Sequence, residues 1–215
     1  MRNRKVATVL AAVATAAVTA TTAAPATAAP TAEQQAGNRS LAKVLAADGT
    51  KLDRSWKDFD ILEKAVTTVL GAKKNSPVAV LADGKVRLTA FVPTDKAFRK
   101  LATELTGKRP ATEKATFKAL AKAVDVDTLE AVLLYHVVPG ATVTYKQARG
   151  ADGAVLETAA GASIEVNTYH RTVRLRDADK DDRNPAVIRA LANLNKGNKQ
   201  IAHGIDAVLR PADLP

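Results

Sequence analysis

Three histidines and one acidic run are the residues of this chain whose types could do chemistry. His136, His170 and His203 lie far apart, and no H-x-x-x-H or Glu-bearing zinc motif joins them. Nothing in their spacing supports a metal site. Asp177, Asp179 and Asp181 spell D-x-D-x-D, the opening of a calcium loop. The sixth position needs glycine and is Asp182; the twelfth needs a bidentate glutamate and is Ile188. Lys180 and Arg183 stand in the same run, so it reads as a solvated charged turn. Ser40, Ser55, Ser76 and Ser163 occupy no G-x-S-x-G elbow, and no Gly-rich phosphate loop is present. The chain has no cysteine, which removes disulfides, zinc thiolates, thiol catalysis and a lipidated N-terminal Cys. This inventory predicts no enzyme, no cofactor and no resident metal. A hydrolase acting on wall material is a distant alternative. It would need a pocket joining His136 or His203 to a carboxylate.

The N-terminus reads as a secretion signal. Arg2, Arg4 and Lys5 precede an uncharged Ala/Val/Leu/Thr run, and an A-T-A tripeptide ends at Ala28. Small residues at −3 and −1 place cleavage after Ala28, with Ala24, Ala26 and Ala29 as competing sites. Asn3 separates the two arginines, so general secretion is expected rather than folded export. An uncleaved membrane anchor is the alternative, disfavoured because the run is Ala/Thr-rich, weakly apolar and interrupted by prolines. The expected organisation is a signal peptide over 1–28, a linker over 29–37 and one domain over 38–215. Nothing hydrophobic follows, so the product is expected to be released or held non-covalently at the envelope. The formal charge is +10, and removing the three basic residues of the leader gives +7. Such a surface favours anionic partners at long range. A solvated surface with no dedicated ligand is the plain alternative. Aromatics are only 4% of the chain, too few for the stacking surface of a nucleic-acid groove.

Helices dominate the first half. Leu41, Val44 and Leu45 recur at helical spacing over 40–47. Asp60 to Glu63 and Asp127 to Glu130 have the D-x-x-E form of a capping box, each before an apolar run. Between them, Val86, Leu88 and Ala90 alternate along a strand that Pro93 ends. Thr94 then offers a cap to the next helix, Asp95 sits near its positive end, and Phe98 faces inward. Thr112 starts a further helix. The second half reads as short strands at 141–144, 154–158, 162–166, 172–176 and 205–209. Helices followed by strands argue for an α+β domain.

Three segments stand out: LTAFVPTDKAF from Leu88 to Phe98, LLYHVVPG from Leu133 to Gly140, and IAHGIDAVLRP from Ile201 to Pro211. In this order they resemble the signature boxes of the fasciclin-like domain, an extracellular adhesion module, here of bacterial, secreted type. The resemblance covers about 56–211. It implies a single wedge-shaped β-sandwich flanked by α-helices. It also implies a non-catalytic role in adhesion at the cell surface or in extracellular matrix.

In animal members the Tyr-His segment is associated with integrin-mediated adhesion. Carried over, Tyr135 and His136 with Leu134, Val137 and Val138 become the candidate contact patch. The structural alternative is a packed ring pair whose polar atoms are bonded internally. Thr94, Asp95, Phe98, His203 and Asp206 are expected to be structural members of the boxes. One departure is clear. Animal members carry an Asp-Ile motif before the closing box, whereas this chain has no acid from Asn184 to Ala202 and instead places Lys196 and Lys199 there. That loop is basic and joins the list of binding candidates. The expected partner is an extracellular protein or, alternatively, an anionic envelope polymer or glycan bound by charge, with no nucleic acid and no membrane span after signal cleavage.

Overall fold

Ser40 caps a short first helix, α1 (Leu41–Leu45), by accepting from the backbone N–H of Lys43. The computed structural model describes residues 36–47, 49 and 51–212. The expected signal peptide, its cleavage site and most of the linker lie outside the described residues.

Helix α2 (Asp60–Ala72) buries Ile61, Leu62, Ala65 and Val69. The D-x-x-E pattern misplaces its start by one residue. Phe59 is the N-cap and supplies no side-chain bond. A 3-10 turn over Pro77–Ala82, not expected from the sequence, is capped by Ser76 and leads into β1 (Leu88–Pro93), which is buried along its whole length. Helices α3 (Asp95–Thr106), α4 (Glu113–Ala123) and α5 (Val126–Tyr135) follow. Thr112 caps α4 as expected. The cap of α5 is Asp125, which accepts from Thr128 N–H, two residues before the expected Asp127. Strand β2 (Val137–Pro139) is next. The strand expected over 141–144 does not form. Thr144 instead closes a capping box with Gln147 at the head of α6 (Tyr145–Arg149).

The remaining strands are β3 (Val155–Glu157), β4 (Ser163–Tyr169), β5 (Thr172–Arg176) and β6 (Gln200–Ile205). The last strand was expected over 205–209. It lies five residues earlier, because 200–205 pairs in parallel with β1 while Asp206 turns the chain away. One sheet has the order β2-β1-β6, and the second is the antiparallel meander β3-β4-β5. The fold is therefore α+β, with two small sheets and flanking helices.

Two apolar clusters hold it together. Leu88, Ala90 and Val92 of β1 face the helices, with Ile61, Ala65, Phe98, Leu101, Leu133 and Val208. Phe91, on the other face of β1, joins Tyr135, Val138, Ile164, Val166, Val173, Leu175 and Ile205 between the sheets. A central strand buried on both faces must be apolar throughout, as LTAFVP nearly is. Its one hydroxyl, on Thr89, donates to Ala141 O at 2.8 Å and accepts from Val143 N–H at 2.8 Å. Gly84 is required for space: a Cβ there would lie 1.8 Å from the carbonyl oxygen of Asn38.

Candidate functional site

The Tyr-His segment occupies the seam between the two cores. Tyr135 is 0% exposed and His136 4%. The Tyr135 hydroxyl donates to Ser163 O at 2.9 Å and accepts from Ala178 N–H at 3.2 Å. Burial pushes its pKa up. His136 Nδ1 lies 2.7 Å from Val132 O, so it carries the proton, and Nε2 accepts from Leu209 N–H at 2.9 Å. Burial lowers the pKa of this imidazole to about 4. Val137 and Val138 are buried in the two clusters, and Leu134 is half-buried against the helical one. The expected contact patch is corrected here. These side chains are enclosed by the fold, and their polar atoms stitch α5 to the second sheet and to the closing segment.

The other boxes are built in the same way. Thr94 is the N-cap of α3 by position, but its side chain makes no capping bond. Asp95 does not serve α3 with its carboxylate either. Its Oδ1 accepts from Ile61 N–H at 3.0 Å and so caps α2 from outside. Phe98 is in the helical core. His203 stacks on Phe91 at 5.8 Å; its Nδ1 accepts from Asn193 N–H and its Nε2 lies 2.8 Å from Val143 O. Burial lowers its pKa. Neither His136 nor His203 has a free ring nitrogen, so neither is poised as a catalytic base. Asp206 Oδ1 accepts from Ala186 N–H at 2.8 Å, and its Oδ2 pairs with Arg183.

Two acidic clusters emerge that spacing alone does not announce. In the first, the D-x-D-x-D turn is folded around Arg210. Asp179 and Asp182 lie 3.2 and 3.3 Å from its guanidinium, Glu104 also pairs with it, and Asp177 accepts Arg210 N–H at 2.9 Å. The turn is thus solvated on one side, where Lys180, Asp181 and Arg183 are exposed, and an internal latch on the other, where Asp179 is buried. Burial raises the Asp177 pKa to about 6. In the second, Asp58, Asp95 and Glu113 bring carboxylate oxygens within 4.8 Å of one another, and Asp53, Asp58 and Asp60 do the same beside them. Burial, a hydrogen bond shared with Asp58 and nearby negative charge push the Asp95 pKa up to about 9. Burial and the neighbouring aspartates push Glu113 to about 7.

Residues 63–211 match the model of the fasciclin domain. The chain belongs to the fasciclin domain family. Such domains are in general non-catalytic adhesion or interaction modules, typically extracellular or at the cell surface. A FAS1 domain pair from the insect cell adhesion molecule fasciclin I is similar in structure. Its TM-score is 0.50 at 18% identity, covering 71% of this chain and 47% of that one. This chain therefore spans about half the length of that domain pair, and the likeness shows the fold. Among curated proteins, no sequence matches.

With the apolar residues of its signature boxes largely buried, this fasciclin domain leaves groups of cations exposed to solvent. Lys196 is exposed and Lys199 half-exposed, flanking a turn in which Asn193, Asn195 and Gly197 have positive φ. A larger basic face lies elsewhere, on α3, α4 and their connection. Lys96, Lys100, Lys108, Arg109, Lys114, Lys118 and Lys122 are exposed and Arg99 is half-buried. None of these eight forms an ion pair with a carboxylate among the described residues. Arg99 lies 4.1 Å over the Trp56 ring and donates to Pro110 O at 2.7 Å. Burial and the charge of Arg109 lower its pKa. The sequence shows a basic composition but points only to the loop at 196–199. Lysines spread over 96–122 form one face only when α3 packs on α4. Among the described residues no helix is long and apolar enough to cross a membrane.

Proposed function

We propose that this fasciclin domain is a secreted bacterial interaction module that adheres, without catalysis, to anionic cell-envelope polymers or glycans. The observation that carries this reading is the set of eight cations on α3, α4 and their connection that lack carboxylate partners. Unpaired cations clustered on one face repel one another, and a polyanion relieves that repulsion while releasing its own counter-ions. Lys196 and Lys199 extend the basic surface. The leader-like N-terminus supports secretion, and the family supports an extracellular setting.

Co-sedimentation of the protein with an envelope fraction, at low and high salt, tests the reading. Binding should fall steeply as ionic strength rises, because exposed charges are screened within about 8 Å at physiological salt. The Lys96→Glu/Lys100→Glu/Arg109→Glu variant should lose binding while keeping its fold. Salt-resistant binding that survives this variant would replace the polymer reading with a protein partner held by another surface.

A further inference from the structure

Charge bookkeeping singles out the junction of α2, α3 and α4. The chain carries 32 lysines and arginines. Yet Asp53, Asp58, Asp95 and Glu113 form no ion pair with any of them among the described residues. Asp95 and Glu113 are both 0% exposed. Each has one committed oxygen: Asp95 Oδ1 takes Ile61 N–H, and Glu113 Oε2 takes Asp53 N–H. Among the described residues, no hydrogen-bond donor meets their other oxygens, Asp95 Oδ2 and Glu113 Oε1, which are buried, and the same holds for Asp58 Oδ1. Buried charge of one sign must be neutralised by something.

We propose that Asp58, Asp95 and Glu113 form a divalent-cation site of calcium type, with Asp53 and Asp60 at its margin. Ligand oxygens within 4.8 Å of one another match the span across a calcium ion, whose bonds are about 2.3–2.6 Å long. The committed oxygens leave Asp95 and Glu113 to bind through one oxygen each. Half-buried Asp58 gives the ion a side open to water, which completes the six to eight oxygen ligands calcium takes. The ion would also fix structure. Asp95 caps α2, Glu113 opens α4 and holds the 53–58 loop, and Asp58 O accepts from Asp95 N–H at 3.1 Å. Calcium would tie the start of α2, the start of α3 and the start of α4 to that loop.

The alternative chemistry is a proton shared between Asp58 and Asp95, and one experiment separates the two. The purified chain is titrated with calcium chloride by calorimetry, and its melting temperature is measured in calcium and in EDTA. One calcium ion per chain should bind, and saturating calcium should raise Tm by about 5 °C or more. Terbium supplies a second readout. Trp56, the only tryptophan in the chain, lies two residues from Asp58 and should sensitise terbium emission at the site. Asp58→Asn and Glu113→Gln should each weaken calcium binding at least tenfold and abolish that emission. Asp58→Asn in EDTA should melt no lower than the parent, which separates lost binding from lost folding. No calcium heat, no Tm shift and no sensitised emission in the folded parent would overturn the site and leave a shared proton only. Binding that is unchanged in both variants would overturn the assignment of its ligands.

Discussion

The two acidic clusters use the same residue types and solve the same problem in opposite ways. Around Arg210, three acids surround one guanidinium that the fold itself supplies, and a fourth, Asp177, takes the backbone N–H of the same residue. Around Asp95, three carboxylates meet, and no lysine or arginine pairs with them among the described residues. The first has its cation from within the fold, even though it contains the D-x-D-x-D run that most resembles a metal loop. The second matches no metal-loop motif, and no ion pair closes it among the described residues. Acidic side chains in a row are therefore a poorer guide to a cation site than acidic side chains without a counter-ion.

The largest expected effect breaks the completed side of this comparison. Arg210→Met removes the guanidinium while Asp179 stays buried and Asp182 and Glu104 stay close. Removing one partner of a buried ion network costs about 3–5 kcal/mol. Chemical denaturation at neutral pH should show a loss of that size. A variant as stable as the parent would mean that the latch contributes little net free energy.

His136 represents a third solution, in which the ionisable group is kept neutral and both of its nitrogens are bonded. His136→Phe keeps the ring but leaves the buried Leu209 N–H without an acceptor, at a cost of about 2 kcal/mol. The pH dependence carries a sign. The folded pKa of about 4 lies below the ordinary histidine value of 6.5. Between these values the unfolded chain binds more protons than the native one. The contribution of neutral His136 is therefore fully present above pH 6.5 and is lost as pH falls toward 4. Asp177 acts in the opposite sense below pH 6, since its folded pKa is raised. The difference between parent and His136→Phe stability isolates the histidine. That difference should narrow steadily from pH 6.5 to 4, and a constant difference would show that His136 is not held neutral.

How much of this could be read from the sequence depends on how local each feature is. The three boxes were legible because each is a short run whose residues share one element junction. The caps at Ser40 and Thr112 were legible for the same reason. The D-x-x-E starts were not. Asp125 outcompetes Asp127 for the end of α5, and the free Ile61 N–H of α2 is met by Asp95, which is 34 residues away. Tyr135 and His136 were identified as a unit, but an apolar run looks alike whether it lines a surface or a seam. Glu104 meets Arg210 and Asp58 meets Glu113 only after the helices pack, so spacing shows the aspartates of the first cluster but not their cation, and it does not announce the second. The basic face of α3 and α4 was hidden in the same way, as composition without position.

The smallest expected effect has the opposite sign and bears on the open cluster. Asp58→Asn removes a carboxylate that faces Asp95 and Glu113 and that no lysine or arginine pairs among the described residues. Arg210→Met strands charge, whereas this change relieves it, so the amide should stabilise the protein when no cation is present. Asp58 is only half-buried, and water screens part of the repulsion, so the gain should be about 1 kcal/mol. Urea denaturation in EDTA at pH 8 measures it, with the parent in calcium as the reference for a neutralised cluster. If the variant in EDTA approaches that reference, like-charge repulsion is what sets the stability of the empty cluster. If it is destabilised, Asp58 holds a structural bond that outweighs the repulsion, and the contrast with the Arg210 latch is one of hydrogen bonding rather than of charge.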